Sequence, residues 1–142
     1  MSDLRIILIM LALVFNSSFA LGQSNDEFER IINLSNAMQD IAHYVSVHKN
    51  YDSQVVILKQ HIDNENPIIR KNCLLWLSFI GRNDISYRPY VVEMLLVGMD
   101  DKDQDVVNVS YSRLIQLYDK NDFSEKAISA VKYLFRRQLE MF

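Results

Sequence analysis

The sequence predicts an all-α fold, and three observations support this. From position 23 onward, apolar residues recur every three or four positions, which is the spacing of amphipathic helices. Only three Gly and two Pro occur in 142 residues, too few for the turns of a many-stranded sandwich or barrel. The hydrophobic fraction of 49% and the charged fraction of 23% exclude a disordered chain. We therefore expect one globular helical domain.

The first 22 residues are predicted to be a cleaved signal peptide. An uninterrupted apolar run at 6–15 follows Arg5, and Ala20 and Gly22 occupy the −3 and −1 positions of a small-residue cleavage site. The run is shorter than the ~20 residues that span a bilayer, and no Cys follows it for lipid attachment. We expect a secreted or periplasmic mature chain that begins at Gln23 and has no stable membrane span; an uncleaved anchor is the disfavoured alternative.

Two helical segments are predicted at the start of the mature chain. The first begins at Ser24, which forms a capping-box pair with Glu27, and it continues as one helix to Val45. A break and a new helix cap are predicted at 50–53, and a short second helix follows.

The third segment has the clearest start in the sequence. Asn66 is a predicted N-cap, Pro67 occupies the first helical position, and the helix is expected to stop at Gly81. A fourth helix is predicted from Ser86 and Pro89 onward.

The last two segments each follow a polar turn. An acidic turn at 100–105 precedes the fifth helix. Asp122 and Glu125 form a second capping-box pair before the sixth.

These six segments repeat as three pairs. Aligning the residues from Asp63 with those from Asp100 gives an offset of 100 − 63, or 37 residues, a period typical of stacked helical repeats. The predicted single domain at 23–142 therefore contains three repeats, at about 24–62, 63–99 and 100–142.

The middle repeat resembles the HEAT family of helical repeats. Arg70 follows the apolar pair Ile68 and Ile69 after an Asn-containing turn, and a small residue and Leu77 come later in the same helix. The corresponding positions in the other repeats hold Leu34 and Val107. The resemblance implies a short right-handed α-solenoid of six helices in three antiparallel pairs, which binds another protein.

Tyrosines on or beside the second helix of each pair are the candidate contact residues. The resemblance implies that these helices line the concave face of the stack. Tyrosine supplies contact area there at low entropic cost. The alternative for each ring is packing between neighbouring repeats. The candidate partner-binding residues of these helices are Tyr51, Tyr87, Arg88, Tyr90, Glu93, Lys132 and Tyr133.

The acidic turn before the fifth helix resembles the first half of a calcium loop. Its carboxylates alternate at Asp101, Asp103 and Asp105, but Val106 replaces the turn glycine and Ser112 replaces the bidentate glutamate. We therefore predict no metal site. Acids near a helix N-terminus stabilise the helix, and Asp101 and Asp103 are further candidates for contact with a basic partner.

The remaining residues predict neither catalysis nor a cofactor. His43 and His48 are five positions apart and so diverge on a helix, which disfavours a metal site. The one cysteine, Cys73, has apolar neighbours on its helical face and is expected to be a core thiol. No phosphate-binding loop or nucleophile motif occurs.

The sequence therefore favours a non-enzymatic protein-binding module that is secreted or periplasmic. A net charge of −3 argues against binding to duplex nucleic acid. The expected partner is a protein, either an envelope component or a basic effector. The alternative is an immunity or inhibitor protein that neutralises a toxin or lytic effector; an enzyme or metal-binding protein is disfavoured.

Overall fold

The computed structural model describes residues 25–117, together with residues 136 and 140, which are helical. Within these residues the chain forms helices and no strand, which confirms the all-α prediction. The predicted signal peptide and the helix start at Asp122 lie outside the described residues. The helices are α1 (25–32), α2 (Met38–Val47), α3 (Tyr51–His61), α4 (Pro67–Asn83), α5 (Arg88–Gly98) and α6 (Gln104–Leu117), with a 3₁₀ turn (Ile85–Tyr87) before α5.

The predicted starts of α3 and α4 are confirmed. The Asn50 side chain accepts a hydrogen bond from the Ser53 N–H at 3.3 Å and caps α3. The Asn66 side chain accepts one from the Ile68 N–H at 3.0 Å, and Pro67 occupies the first turn of α4. Each cap pairs a backbone donor that has no partner within its own helix.

The first predicted helix, 24–45, is wrong in one respect, because the chain breaks at 33–37 into α1 and α2. The buried Asn72 side chain of α4 donates hydrogen bonds to the carbonyl oxygens of Ile32 and Leu34, both at 2.8 Å. These bonds pair carbonyls at the end of α1 that would otherwise lack a partner. The break therefore depends on a residue about 40 positions away, which local periodicity does not reveal.

Helix α4 is the centre of the fold. It packs against α2, α3, α5 and α6, and most of its surface is buried, as expected for a helix that is apolar on several faces. Trp76 is fully buried, with its ring centroid 4.5 Å from that of Phe28 in α1 and 5.0 Å from that of Tyr44 in α2. Its indole N–H donates to Gln54 of α3 at 2.9 Å. One side chain thus joins α4 to three other helices.

Helix α4 ends at Asn83, two residues beyond the predicted stop at Gly81. Gly81 does not have a positive φ, so it is not a left-handed helix end. A Cβ atom at Gly81 would lie 3.3 Å from three side-chain atoms of Val91 in α5. The glycine allows α4 and α5 to approach closely rather than terminating α4.

Gly98→Ala is expected to destabilise the fold by about 1–3 kcal/mol through overpacking. An added Cβ would overlap the Ser110 hydroxyl and lie 2.5 Å from Cδ1 of Leu74. Ser110 is fully buried and donates to the Val106 carbonyl at 2.8 Å, so it has little room to move. Urea denaturation would measure the change, with Gly81→Ala as a control of smaller effect. A variant as stable as the native protein would contradict this close packing of α5 and α6.

Candidate functional site

Helices α3 and α5 meet through polar and aromatic side chains. The Tyr87 hydroxyl, just before α5, donates a hydrogen bond to Oδ1 of Asp52 in α3. The Tyr87 ring packs edge-on against Tyr51, with centroids 5.9 Å apart. The Lys59 ammonium lies 4.6 Å from the centroid of the Tyr90 ring, which is within cation–π range.

Both phenols of this junction remain protonated at neutral pH. The hydrogen bond to Asp52 raises the pKa of Tyr87 to about 12, because ionising the phenol would remove the donor and place two negative charges together. Burial raises the pKa of Tyr90, and the nearby Glu93 acts in the same direction. Each tyrosine therefore presents a hydroxyl rather than an anion.

Exposed side chains surround this junction. Val56 is 58% exposed and lies one turn before Lys59, whereas Val97 is 61% exposed and lies two turns after Tyr90. Residues three or seven apart share one helix face, so apolar and charged groups stand beside the tyrosines. We call this set the α3–α5 surface; it consists of Asp52, Val56, Lys59, Tyr87, Tyr90, Glu93 and Val97.

The structure brings some of the predicted contact residues together and separates others. Tyr87, Tyr90 and Glu93 belong to the α3–α5 surface. Tyr51 is only 7% exposed and packs in the core, so the surface does not include it. Arg88 is half-buried, with its Nε donating to the Gly81 carbonyl at 3.4 Å.

The last two predicted contact residues, Lys132 and Tyr133, lie outside the described residues.

Asp52 and Lys59 were not among the predicted residues, although they contact two of them. They are seven positions apart and so lie on one face of α3. That spacing is the one signal that the sequence carries for this pair, since it marks a polar face of α3. The contacts with Tyr87 and Tyr90 join residues more than 30 positions apart, so local spacing does not reveal them.

Asp101 forms a two-pronged ion pair with Arg70. Its Oδ2 accepts from Nε of Arg70 and its Oδ1 from Nη2, both at 2.8 Å, and the side chains are 14% and 9% exposed. The hydrogen bond from Arg70 lowers the pKa of Asp101, and the same bond raises the pKa of Arg70. Arg70 also donates to the carbonyls of Asn64 and Glu65 at 2.7 and 3.0 Å. The pair therefore joins the linker before α4 to the linker before α6.

Asp103 caps α6. Its Oδ1 accepts hydrogen bonds from the N–H groups of Asp105 and Val106 at 3.0 and 3.3 Å, and its own N–H donates to Asp101. Both carboxylates therefore make hydrogen bonds within the folded chain, Asp101 with Arg70 and Asp103 with the start of α6. No group of three potential metal-ligating side chains occurs in the part of the chain that the structure describes.

Cys73 is a buried free thiol, as expected from its apolar neighbours. Burial raises its pKa to about 12. A nucleophilic cysteine needs a thiolate, and this thiol stays protonated at neutral pH.

No family model, curated protein or solved structure matches the chain. Among the helices that the structure describes, none is both long enough and apolar enough to cross a membrane.

Proposed function

We propose that this chain is a non-enzymatic protein-binding module built as a short HEAT-like, right-handed α-solenoid. In this arrangement α2, α4 and α6 are the first helices of successive antiparallel pairs, and α3 and α5 are second helices. The packing of α4 against both α2 and α6 supports the stacking of first helices. The contacts of Asp52 with Tyr87 and of Lys59 with Tyr90 support the adjacency of second helices.

The proposal rests on the composition of the α3–α5 surface. It combines two partly exposed tyrosines, two exposed valines and charges of both signs, a composition that suits a protein contact. The Tyr90 ring is half-buried and contacts Lys59 of the neighbouring helix, which limits the rotamer entropy that it would lose on binding. Glu93 is exposed beside it and can orient a partner electrostatically.

The proposed location is secreted or periplasmic, and the proposed partner is a protein of that compartment. An envelope protein fits an adaptor role. The second candidate is immunity or inhibition, in which the module neutralises a basic toxin or lytic effector. The net charge of −3 favours this candidate, because opposite charges accelerate association.

Tyr90→Ala is expected to weaken partner binding by about 1–3 kcal/mol, because the ring supplies packed contact area at the centre of the α3–α5 surface. The mature protein would be used to capture partners from an envelope fraction, and each captured protein would be purified and titrated by calorimetry. Glu93→Lys should mainly change the association rate and its salt dependence.

Tyr111→Ala is the matched control, because Tyr111 is a half-buried tyrosine of α6 outside this surface. Its binding should stay within about twofold of the native protein, and thermal melts should show that Tyr90→Ala remains folded. A partner that binds equally well to the Tyr90 and Glu93 variants would place the interface elsewhere.

A further inference from the structure

A pocket of about 170 Å³ lies between the loop before α2, helix α4 and helix α6. Its described lining includes two basic side chains, Lys71 and Arg113, and no acidic one. Such a volume is smaller than the roughly 300–1,000 Å³ of sites for drug-sized molecules, so it suits a small ligand or a single side chain. The lining residues are Ser35, Asn36, Ala37, Met38, Lys71, Asn72, Leu75, Val109, Ser112 and Arg113.

Arg113 is buried in this pocket without an acidic partner in the described part of the chain. The residue is 8% exposed, and its Nη1 donates to Gln116 at 2.9 Å. Among the described residues, its Nη2 makes one hydrogen bond, to the Met38 sulfur at 3.5 Å, and its Nε makes none. The guanidinium carbon stands 5.4 Å from the centroid of the Phe79 ring. Within residues 25–117, the Nε and Nη2 edge of the guanidinium therefore has no oxygen acceptor.

Arg70 shows how the Nε and Nη2 edge of an arginine binds when a carboxylate is present. Its Nε and Nη2 each donate to a different oxygen of Asp101 at 2.8 Å. This two-pronged arrangement is the one in which the planar guanidinium fits a planar carboxylate. Arg113 has no such partner among the described residues, and burying a charge without one is costly. A ligand carboxylate at this edge would supply the missing partner.

Asn72 supplies a second unsatisfied group to the same pocket. Its amide nitrogen donates to the carbonyls of Ile32 and Leu34, which fixes the orientation of the side chain. Its Oδ1 is buried and has no hydrogen-bond partner within the part of the chain that the structure describes. This oxygen is a hydrogen-bond acceptor, so a ligand that pairs with it must supply a donor. Because Lys71 and Arg113 already make the pocket positive, a neutral hydroxyl suits it better than an ammonium group.

We propose that this pocket binds a small hydroxyl-bearing carboxylate. The carboxylate takes the Nε and Nη2 edge of Arg113, and the ligand hydroxyl donates to Oδ1 of Asn72. Met38 moves to admit the ligand, since its side chain is 46% exposed and methionine is unbranched and adaptable. The site shares no residue with the α3–α5 surface, so its test is independent of the proposed function.

Thermal melts and calorimetry of the mature protein test the site with lactate, acetate, chloride and inorganic phosphate at constant ionic strength. Lactate should raise Tm with the logarithm of its concentration, by about 4–6 °C at tenfold its Kd, and should give a saturable isotherm in calorimetry. Acetate lacks the hydroxyl and should bind more weakly, and chloride cannot bridge the two nitrogens and should produce no comparable shift. Phosphate also fits a guanidinium fork and carries hydroxyls of its own, so a larger shift with phosphate than with lactate would overturn the assignment to a carboxylate. An equal response to all four anions would overturn the proposal.

Two variants test the role of Arg113. Arg113→Met removes the charge but keeps an unbranched apolar chain in place of the arginine stem, and it should abolish the lactate response. Arg113→Lys keeps the charge but loses the fork, so its affinity should fall at least about tenfold. A native-like lactate response in Arg113→Met would overturn the assignment. If that variant fails to fold, the side-chain amide signals of Asn72 in the native protein decide by NMR, because lactate must shift them.

A partner protein's aspartate would present the same carboxylate, so a second arm uses a blocked Gly-Asp-Gly peptide. Lactate binding that requires Arg113 assigns the site to a free acid. Peptide binding that requires Arg113, without lactate binding, assigns the carboxylate to a protein. Absence of binding in both arms overturns the proposal.

Discussion

Trp76→Ala is expected to lower the free energy of unfolding by about 3–5 kcal/mol, the range for removing a large buried aromatic residue. Trp76 is fully buried and packs against Phe28 and Tyr44. Its loss would leave a cavity where α4 meets α1 and α2. It would also remove the donor that pairs with Gln54, which is 5% exposed, and an unpaired buried acceptor adds to the cost.

Trp76→Phe is the matched control for this prediction. It retains an aromatic ring but loses the indole N–H, so we expect a smaller loss of about 1–3 kcal/mol. Urea denaturation followed by circular dichroism would measure both variants. A loss below about 0.5 kcal/mol for Trp76→Ala would mean that this side chain is exposed.

Asp101→Asn is expected to cost about 2–3 kcal/mol at pH 7, because it leaves the Arg70 guanidinium buried without its charge partner. The exposures of 9% and 14% for the two side chains limit solvent screening of the pair. Asp105→Asn is the control, since Asp105 is exposed in the same turn. Its effect should stay below about 1 kcal/mol.

The same pair predicts the pH dependence of stability. The folded-state pKa of Asp101 is below its ordinary value, so the folded state binds this proton more weakly than the unfolded state does. The stabilisation is therefore complete above the unfolded-state pKa of about 3.9 and is lost as pH falls through the folded-state pKa. The difference between native protein and Asp101→Asn should shrink on acidification. A difference that stays constant down to about pH 2 would contradict this role.

Local signals predicted the starts of α3 and α4 correctly. Asn50, Asn66 and Pro67 act on backbone groups within two or three residues, so the sequence alone reveals them. The buried position of Cys73 followed in the same way from the apolar face of its helix.

One error is local, because Ser86 is predicted to begin the fourth helix but lies in the 3₁₀ turn that Asp84 caps, and α5 begins at Arg88. The other errors and omissions involve distant residues. The break after α1 depends on Asn72, and the length of α4 depends on how Gly81 meets Val91. The sequence does not reveal the unsatisfied edge of Arg113 either. Whether that edge has a partner depends on which distant side chains the fold brings within hydrogen-bond distance. Periodicity reports which face of a helix is apolar, but it does not report which polar atoms meet across that face.

The central position of α4 also determines how the molecule opens. A helix enclosed by α2, α3, α5 and α6 cannot expose its backbone unless those neighbours separate. The amide protons of its buried middle turns are therefore expected to exchange with solvent more slowly than those of α3 and α5, which can fluctuate in smaller units. Side chains and helices of the α3–α5 surface could then move when a partner binds, while α4 stays folded.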